Sequence, residues 1–266
     1  MTSSPFLLAI CLLVSIFLLG PILVSVSAGL MQNYALGLQG GLTLRWLTEV
    51  WSGYGSTLSA SIAIAGAAVL CTALIGLPCA YGLARSKRSW VVWFEELVTL
   101  PVAVPGLATA LALILVYGEL RWFRQHFAFI LVGHVIFTLP FMLRILAAAF
   151  RRRDLLAMEE AAATLGASFP QRLFGVLLPA VLPAILSGAL MVFTLSIGEF
   201  NLTWMLHTPL TRTLPVGLAD SYASMRIEIG SAYTLVFLLV VLPLLWLMQF
   251  SEQLLAKRYA IEANCN

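Results

Sequence analysis

Residues 158–186 read MEEAAATLGASFPQRLFGVLLPAVLPAIL, and they fit poorly with the chain around them. The 266 residues are 61% hydrophobic and only 10% charged, with a mean hydropathy of +0.98. Such a chain has too little charge to cover a water-exposed surface of its size. Apolar runs of about 18 residues or more recur along it, each long enough to cross a hydrocarbon core. The runs are continuous rather than alternating, which excludes barrel strands. The reading is an all-α, polytopic membrane protein forming one transmembrane domain over 1–266. Within it, 158–186 brings two adjacent acids, an alanine run and a glycine between two membrane-like segments.

Six spans are predicted, near 6–29, 57–84, 97–117, 129–150, 183–206 and 229–250. No Lys or Arg precedes the first run, and the run exceeds the apolar core of a usual signal peptide, so a retained first span is expected. One set of loops and span ends carries Arg85, Lys87, Arg88, Arg144, Arg151, Arg152, Arg153, Arg172, Lys257 and Arg258; the other carries Arg45, Arg121, Arg124, Arg212 and Arg226. The positive-inside rule then places both termini in the cytoplasm, together with the longest internal loop on that side, 151–182. The charge is too scattered for a nucleic-acid surface. Cys71 and Cys79 are eight residues apart on one predicted helix, about 12 Å at 1.5 Å per residue, too far to bridge. Cys265 is expected on the cytoplasmic side.

Several span features have two readings. Ser59, Ala63, Ala67 and Cys71 recur every four residues, either as a close-packing ridge or as ordinary tolerance of small side chains. Pro101, Pro105 and Pro140 each remove a helix hydrogen bond and should bend their helices.

The loop itself has helix grammar. DLLAMEEAAATL (154–165) is rich in helix formers, with acids toward its N-terminal half. Leu155, Met158, Ala162 and Leu165 are predicted to share one face. Gly166 follows where a helix can end in the left-handed conformation. Ser168 and Gln171 have the spacing of a capping box, with Pro170 in the first turn. The second helix is expected to run to about Leu178 and to stop at Pro179. The alanine surface and fixed elbow suit protein docking; a position on the bilayer surface is the alternative, although the segment lacks the Trp, Phe and Lys that surface helices favour.

Glu160-Ala161-Ala162, three residues, Gly166, nine residues, then Val176-x-Leu178-Pro179 resembles the EAA signature of ABC-transporter permease subunits. The six-span plan resembles the type I importers that work with a binding protein, so the resemblance covers nearly the whole chain. Val176 stands where isoleucine is common. The resemblance implies that 151–182 is a coupling loop seated on a cytoplasmic ABC ATPase dimer. Glu160 would be the polar anchor, Ala161 and Ala162 the close contact, Gly166 the turn, and Leu178-Pro179 the end of the motif. It also implies a second permease subunit, paralogue or second copy, an extracytoplasmic substrate-binding protein, and the inner membrane of a bacterium. HVIFTLP (134–140) and FTLSIGEF (193–200) look like the branch serving polyamines, phosphonates, sulfate, thiamine or ferric iron, with a lean to polyamine or phosphonate cargo. The sequence has no G-x-x-x-x-G-K-[ST] loop, so the expected chain binds no cofactor, and ATP is used by its partner.

For the substrate pathway the candidates are Glu199, Asn201 and His134. A carboxylate inside a span is costly and is expected to face protein or water. Glu199 is expected on a helical face with Gly188, Val192 and Leu195, apolar toward the cytoplasm and polar outward. A buried structural pair is its alternative. His134 is either a hydrogen-bonded core residue or part of the path. Glu95 and Glu96 read as a solvated turn. No catalytic or metal constellation emerges. Two rivals to the importer reading are an ion-coupled secondary carrier, which should show inverted repeats or broken helix pairs, and an intramembrane enzyme, for which Glu199 and His134 are too few.

Overall fold

The computed structural model describes residues 5–264; Cys265 lies outside them. In chain order the helices are α1 (Pro5–Ala28), α2 (Arg45–Arg85), α3 (Trp90–Ala103), α4 (Gly106–Tyr117), α5 (Arg121–Arg124), α6 (Phe127–Phe150), α7 (Arg153–Thr164), α8 (Phe169–Arg172), α9 (Leu178–Ile197), α10 (Asn201–Leu206), α11 (Leu214–Ala223) and α12 (Ile227–Asn264). A 3-10 segment, Tyr34–Gly40, precedes α2, and a π turn, Leu173–Leu177, joins α8 to α9. Among the described residues the only β pairing is an isolated bridge between Met31 and Leu42. Among the described residues the fold is all-α.

Five helices are long and apolar enough to cross a membrane: Phe6–Ala28, Gly55–Arg85, Phe127–Phe150, Phe169–Ile197 and Ile227–Phe250. The sixth span, expected at 97–117, is a bent pair: α3 and α4 meet at 101°. Pro105 sits between them and cannot donate a backbone hydrogen bond, so the chain turns there instead of continuing. The fifth span begins well before 183 and stops at Ile197 rather than near 206.

The chain gathers into two compact units, one formed by the chain up to Ser59 with Thr213–Leu242, the other by Ala60–Arg212 with the chain from Pro243 on. In the first, Gly29 lies against the α12 backbone, where a Cβ would come within 2.6 Å of the Ala232 nitrogen. Glu228 accepts the Tyr34 amide at 3.0 Å, and Arg226 pairs with Glu49 at 2.7 Å. In the second unit α6 is central, packed on α3, α4, α9 and α10. The buried stripe of α2 there is Ala65, Ala68, Thr72 and Gly76; Ser59 and Ala63 are exposed, which favours ordinary tolerance of small side chains over a packing ridge at those two positions. Small residues occur all round this helix, so composition did not single out the contacting face. Gly76 belongs to the contact because Met142 lies 3.2 Å from where its Cβ would be.

Candidate functional site

The loop after α6 folds as two helices about a tight turn. Asp154 occupies the first turn of α7, where the helix dipole favours an acid. A hydrogen bond from the Arg152 guanidinium holds its carboxyl below the ordinary carboxylate range. The buried residues of α7 are Leu155 and Glu159. Of Leu155, Met158, Ala162 and Leu165, predicted to share one face, only Leu155 is buried; Met158 is 49% exposed and Leu165 is 89% exposed. A carboxylate takes the inward position because cations wait for it. Glu159 accepts from the Tyr81 hydroxyl at 2.7 Å and from Arg85 Nε at 2.8 Å. Arg172 Nη1 lies 3.9 Å away. Arg85 also donates to the Phe150 carbonyl at 2.7 Å. One acid thus fastens α7 to the ends of α2 and α6. Sequence reading missed Glu159 because an acid beside a second acid reads as surface. The signal was its i+4 spacing from Leu155.

With Glu159 turned in, Glu160 and Ala161 are exposed and Ala162 is half-buried. The helix ends in a paired closure: the Ala167 amide bonds to the Ala162 carbonyl at 3.1 Å and the Gly166 amide to Ala163 at 3.0 Å. Gly166 has φ +81°, a conformation that glycine alone adopts freely. Ser168 follows, its amide donating to Gln171 Oε1 at 2.8 Å in the expected capping box. The second helix does not stop at Pro179. Leu178 and Pro179 open α9, and the Leu178 amide reaches five residues back to Leu173. This wider π turn makes room for the proline ring, which would otherwise meet the carbonyl four residues earlier.

The second region is built on two breaks. α3 gives way to α4 at Val104-Pro105, and α9 gives way to α10 across Gly198, Glu199 and Phe200. Glu199 is therefore not on a continuous helical face. Its carboxylate caps α10, Oε1 accepting the Leu202 amide at 2.9 Å and Oε2 the Thr203 amide at 3.0 Å. A side chain that captures these amides competes with helix continuation, and Gly198 weakens the helix before it. Gly188 and Val192, expected to share its face, are buried; Met142 Sδ sits 2.6 Å from where a Gly188 Cβ would be. At Gly106 the start of α4 approaches this cap, Glu199 Oε1 being 3.4 Å from the position of a Cβ.

His134, buried in α6, spans the second break. Its Nδ1 meets Ser196 Oγ at 2.7 Å and its Nε2 meets Thr203 Oγ1 at 2.8 Å. Thr203 donates to Glu199, backbone and carboxylate, at 3.1 Å. With that proton committed, Nε2–H is the donor to Thr203, and Nδ1 accepts from Ser196. His134 and Glu199 are thus joined through Thr203, while Asn201 begins α10 with its side chain exposed. Among the described residues no group of three or more His, Cys, Asp or Glu could hold a metal ion.

Residues 73–259 match the family described as binding-protein-dependent transport system inner membrane component. The chain is 30% identical over 243 residues to the putrescine transport system permease protein PotI of Escherichia coli strain K12, covering 88% of this chain and 86% of that one. It is 29% identical over 204 residues to the molybdenum transport system permease protein ModB of Mycobacterium tuberculosis, covering 71% and 76%. A protein named for 2-aminoethylphosphonate transport, PhnV of Salmonella typhimurium, is 28% identical over 250 residues, covering 91% of each chain. This all-helical, multi-pass chain therefore belongs to the binding-protein-dependent inner-membrane permeases, the transport subunits of ABC importers, which work with a separate ATPase and are not themselves enzymes.

Proposed function

We propose that this permease couples ATP hydrolysis by a cytoplasmic ABC ATPase dimer to the import of a small polar solute through its loop at 151–182. The observation that carries the reading is the division of labour between neighbours. Glu159 is turned in and pinned by Arg85, and this presents Glu160 and Ala161 outward on a helix held from behind. In this reading Glu160 is the charged anchor, Ala161 and Ala162 the close contact, Gly166 the fixed turn, and Leu178-Pro179 the junction with the fifth span. ATP is bound by the partner, and a second permease chain, paralogue or copy, completes the membrane portion. A substrate-binding protein docks on the opposite, extracytoplasmic face, both termini being cytoplasmic.

Glu199 and Asn201, at the break before α10, are the side chains proposed to meet the solute. His134, with both ring nitrogens engaged, holds the break in shape behind them. The cargo is proposed to be a polyamine or an aminophosphonate. Putrescine and 2-aminoethylphosphonate, named in two relatives, share a primary ammonium group, and the Glu199 oxygens keep lone pairs for one beyond their capping bonds. The test is ATP-driven, vanadate-sensitive uptake in vesicles containing the whole complex. Glu160→Lys should insert normally, lose uptake and co-purify poorly with the ATPase; unchanged uptake would end the coupling assignment.

A further inference from the structure

Between α3 and α6 lies an open cleft of about 90 Å³. Val98, Pro140, Leu143, Ala147 and Ala148 form its apolar walls, and Arg144 reaches it from α6 and Arg151 from the residue after its end. Arg151 is neutralised there by Glu95, an ion pair that fastens the first half of α3 to the end of α6. Thr99 has its hydroxyl proton committed to the Glu96 carbonyl at 2.8 Å. Arg144 is different. Among the described residues it has neither ion-pair nor hydrogen-bond partner, and it is exposed. It stands six residues before Phe150, the end of α6, about 9 Å along the helix at 1.5 Å per residue. Inside a helix long and apolar enough to cross a membrane, an uncompensated guanidinium is unfavourable unless it extends to the headgroup layer or meets an anion.

The cleft thus has one net positive charge, from two arginines and one glutamate, above walls that are apolar except for Thr99, whose hydroxyl proton is already donated to Glu96. This matches a phosphodiester with hydrocarbon below it, and guanidinium is the cation whose geometry grips phosphate through two bonds at once. We propose that the α3–α6 cleft binds the headgroup of an anionic phospholipid, with Arg144 clasping the phosphate and the acyl chains lying along Val98 and Leu143. A free phosphate or phosphonate shares the oxyanion chemistry; the apolar walls favour the lipid. The site depends on the depth of Arg144 in the bilayer and on nothing in the transport cycle, so loss of coupling and loss of this site are separable results.

The test is native mass spectrometry on the full chain in detergent, titrated separately with phosphatidylglycerol, phosphatidylcholine and inorganic phosphate. Phosphatidylglycerol should be retained over phosphatidylcholine. Arg144→Gln should weaken its retention about tenfold, the scale of one charged hydrogen-bonded contact. Ala148→Leu, which fills the cleft and leaves the charge, should weaken it as well, and it decides the matter if Arg144→Gln does not fold. Arg152→Gln, outside the cleft, should change nothing. Equal retention by wild type and by the cleft variants overturns the site. Arg144-dependent binding of inorganic phosphate with no preference for the diacyl lipid overturns the lipid assignment and leaves a free-oxyanion site.

Discussion

Arg85 and Glu159 lie 74 residues apart in the chain and form an ion pair at 2.6 Å, with the carboxylate side chain 7% exposed and the guanidinium 20% exposed. Removing one partner leaves the other buried and uncompensated. Glu159→Ala should lower stability by about 1.5–3 kcal/mol for each charged hydrogen bond lost, seen as earlier thermal unfolding in detergent. Arg85→Met with Glu159→Leu should recover part of that loss, because apolar replacement of a whole buried pair is tolerated better than halving it. A double-mutant coupling energy below about 0.5 kcal/mol would show the pair to be incidental.

Gly166 has open space where a Cβ would go, so substitution there meets conformation alone. Gly166→Ala should cost about 1–2 kcal/mol from the left-handed backbone, and Gly166→Asn less. Uptake should follow the order Gly, Asn, Ala, while membrane insertion is unaffected. Equal transport by all three would detach the turn from function.

Orientation can be read with an impermeant thiol reagent. Leu210 is 77% exposed and Leu165 is 89% exposed, and the sequence places them on opposite faces of the membrane. Leu210→Cys should be labelled in intact cells, and Leu165→Cys only after permeabilisation. The reverse pattern would put the α7 loop beyond the reach of any cytoplasmic ATPase.

Glu199→Gln retains one acceptor oxygen and loses the charge. It should assemble, give up about 1 kcal/mol of capping and take up solute more slowly. Ser196→Ala leaves the His134 Nδ1 without its partner, a cost of about 1–3 kcal/mol, measurable as unfolding with little change in cargo selectivity. Wild-type uptake by Glu199→Gln would remove Glu199 from the proposed path.

What the sequence made legible was whatever depends on local chemistry. Apolar run lengths located five continuous spans; Gly166 and the Ser168–Gln171 spacing located the elbow. Illegible were features decided by partners distant in sequence. Nothing near Glu159 announces Tyr81 and Arg85, and Glu160 beside it is an identical residue with the opposite exposure. The break at Glu199 depends on its own carboxylate capturing two amides while His134 ties both sides together. Hydropathy reads straight through such a break, because the flanking residues remain apolar. The α3–α4 bend was half legible: Pro101 and Pro105 signalled a kink, but not one of 101°.

The π turn at Leu173–Leu177 makes one helix of what the prolines would have divided. From Phe169 to Ile197 the chain is an uninterrupted run of 29 residues, about 44 Å at 1.5 Å per residue. Between the Gly166 elbow and Gly198 the helix has no break, although the π turn and Pro183 lie within it. If the loop is the coupling element proposed above, force entering at its outer turn would be delivered along this helix to the short segment Gly198–Phe200, where His134 bridges the two sides.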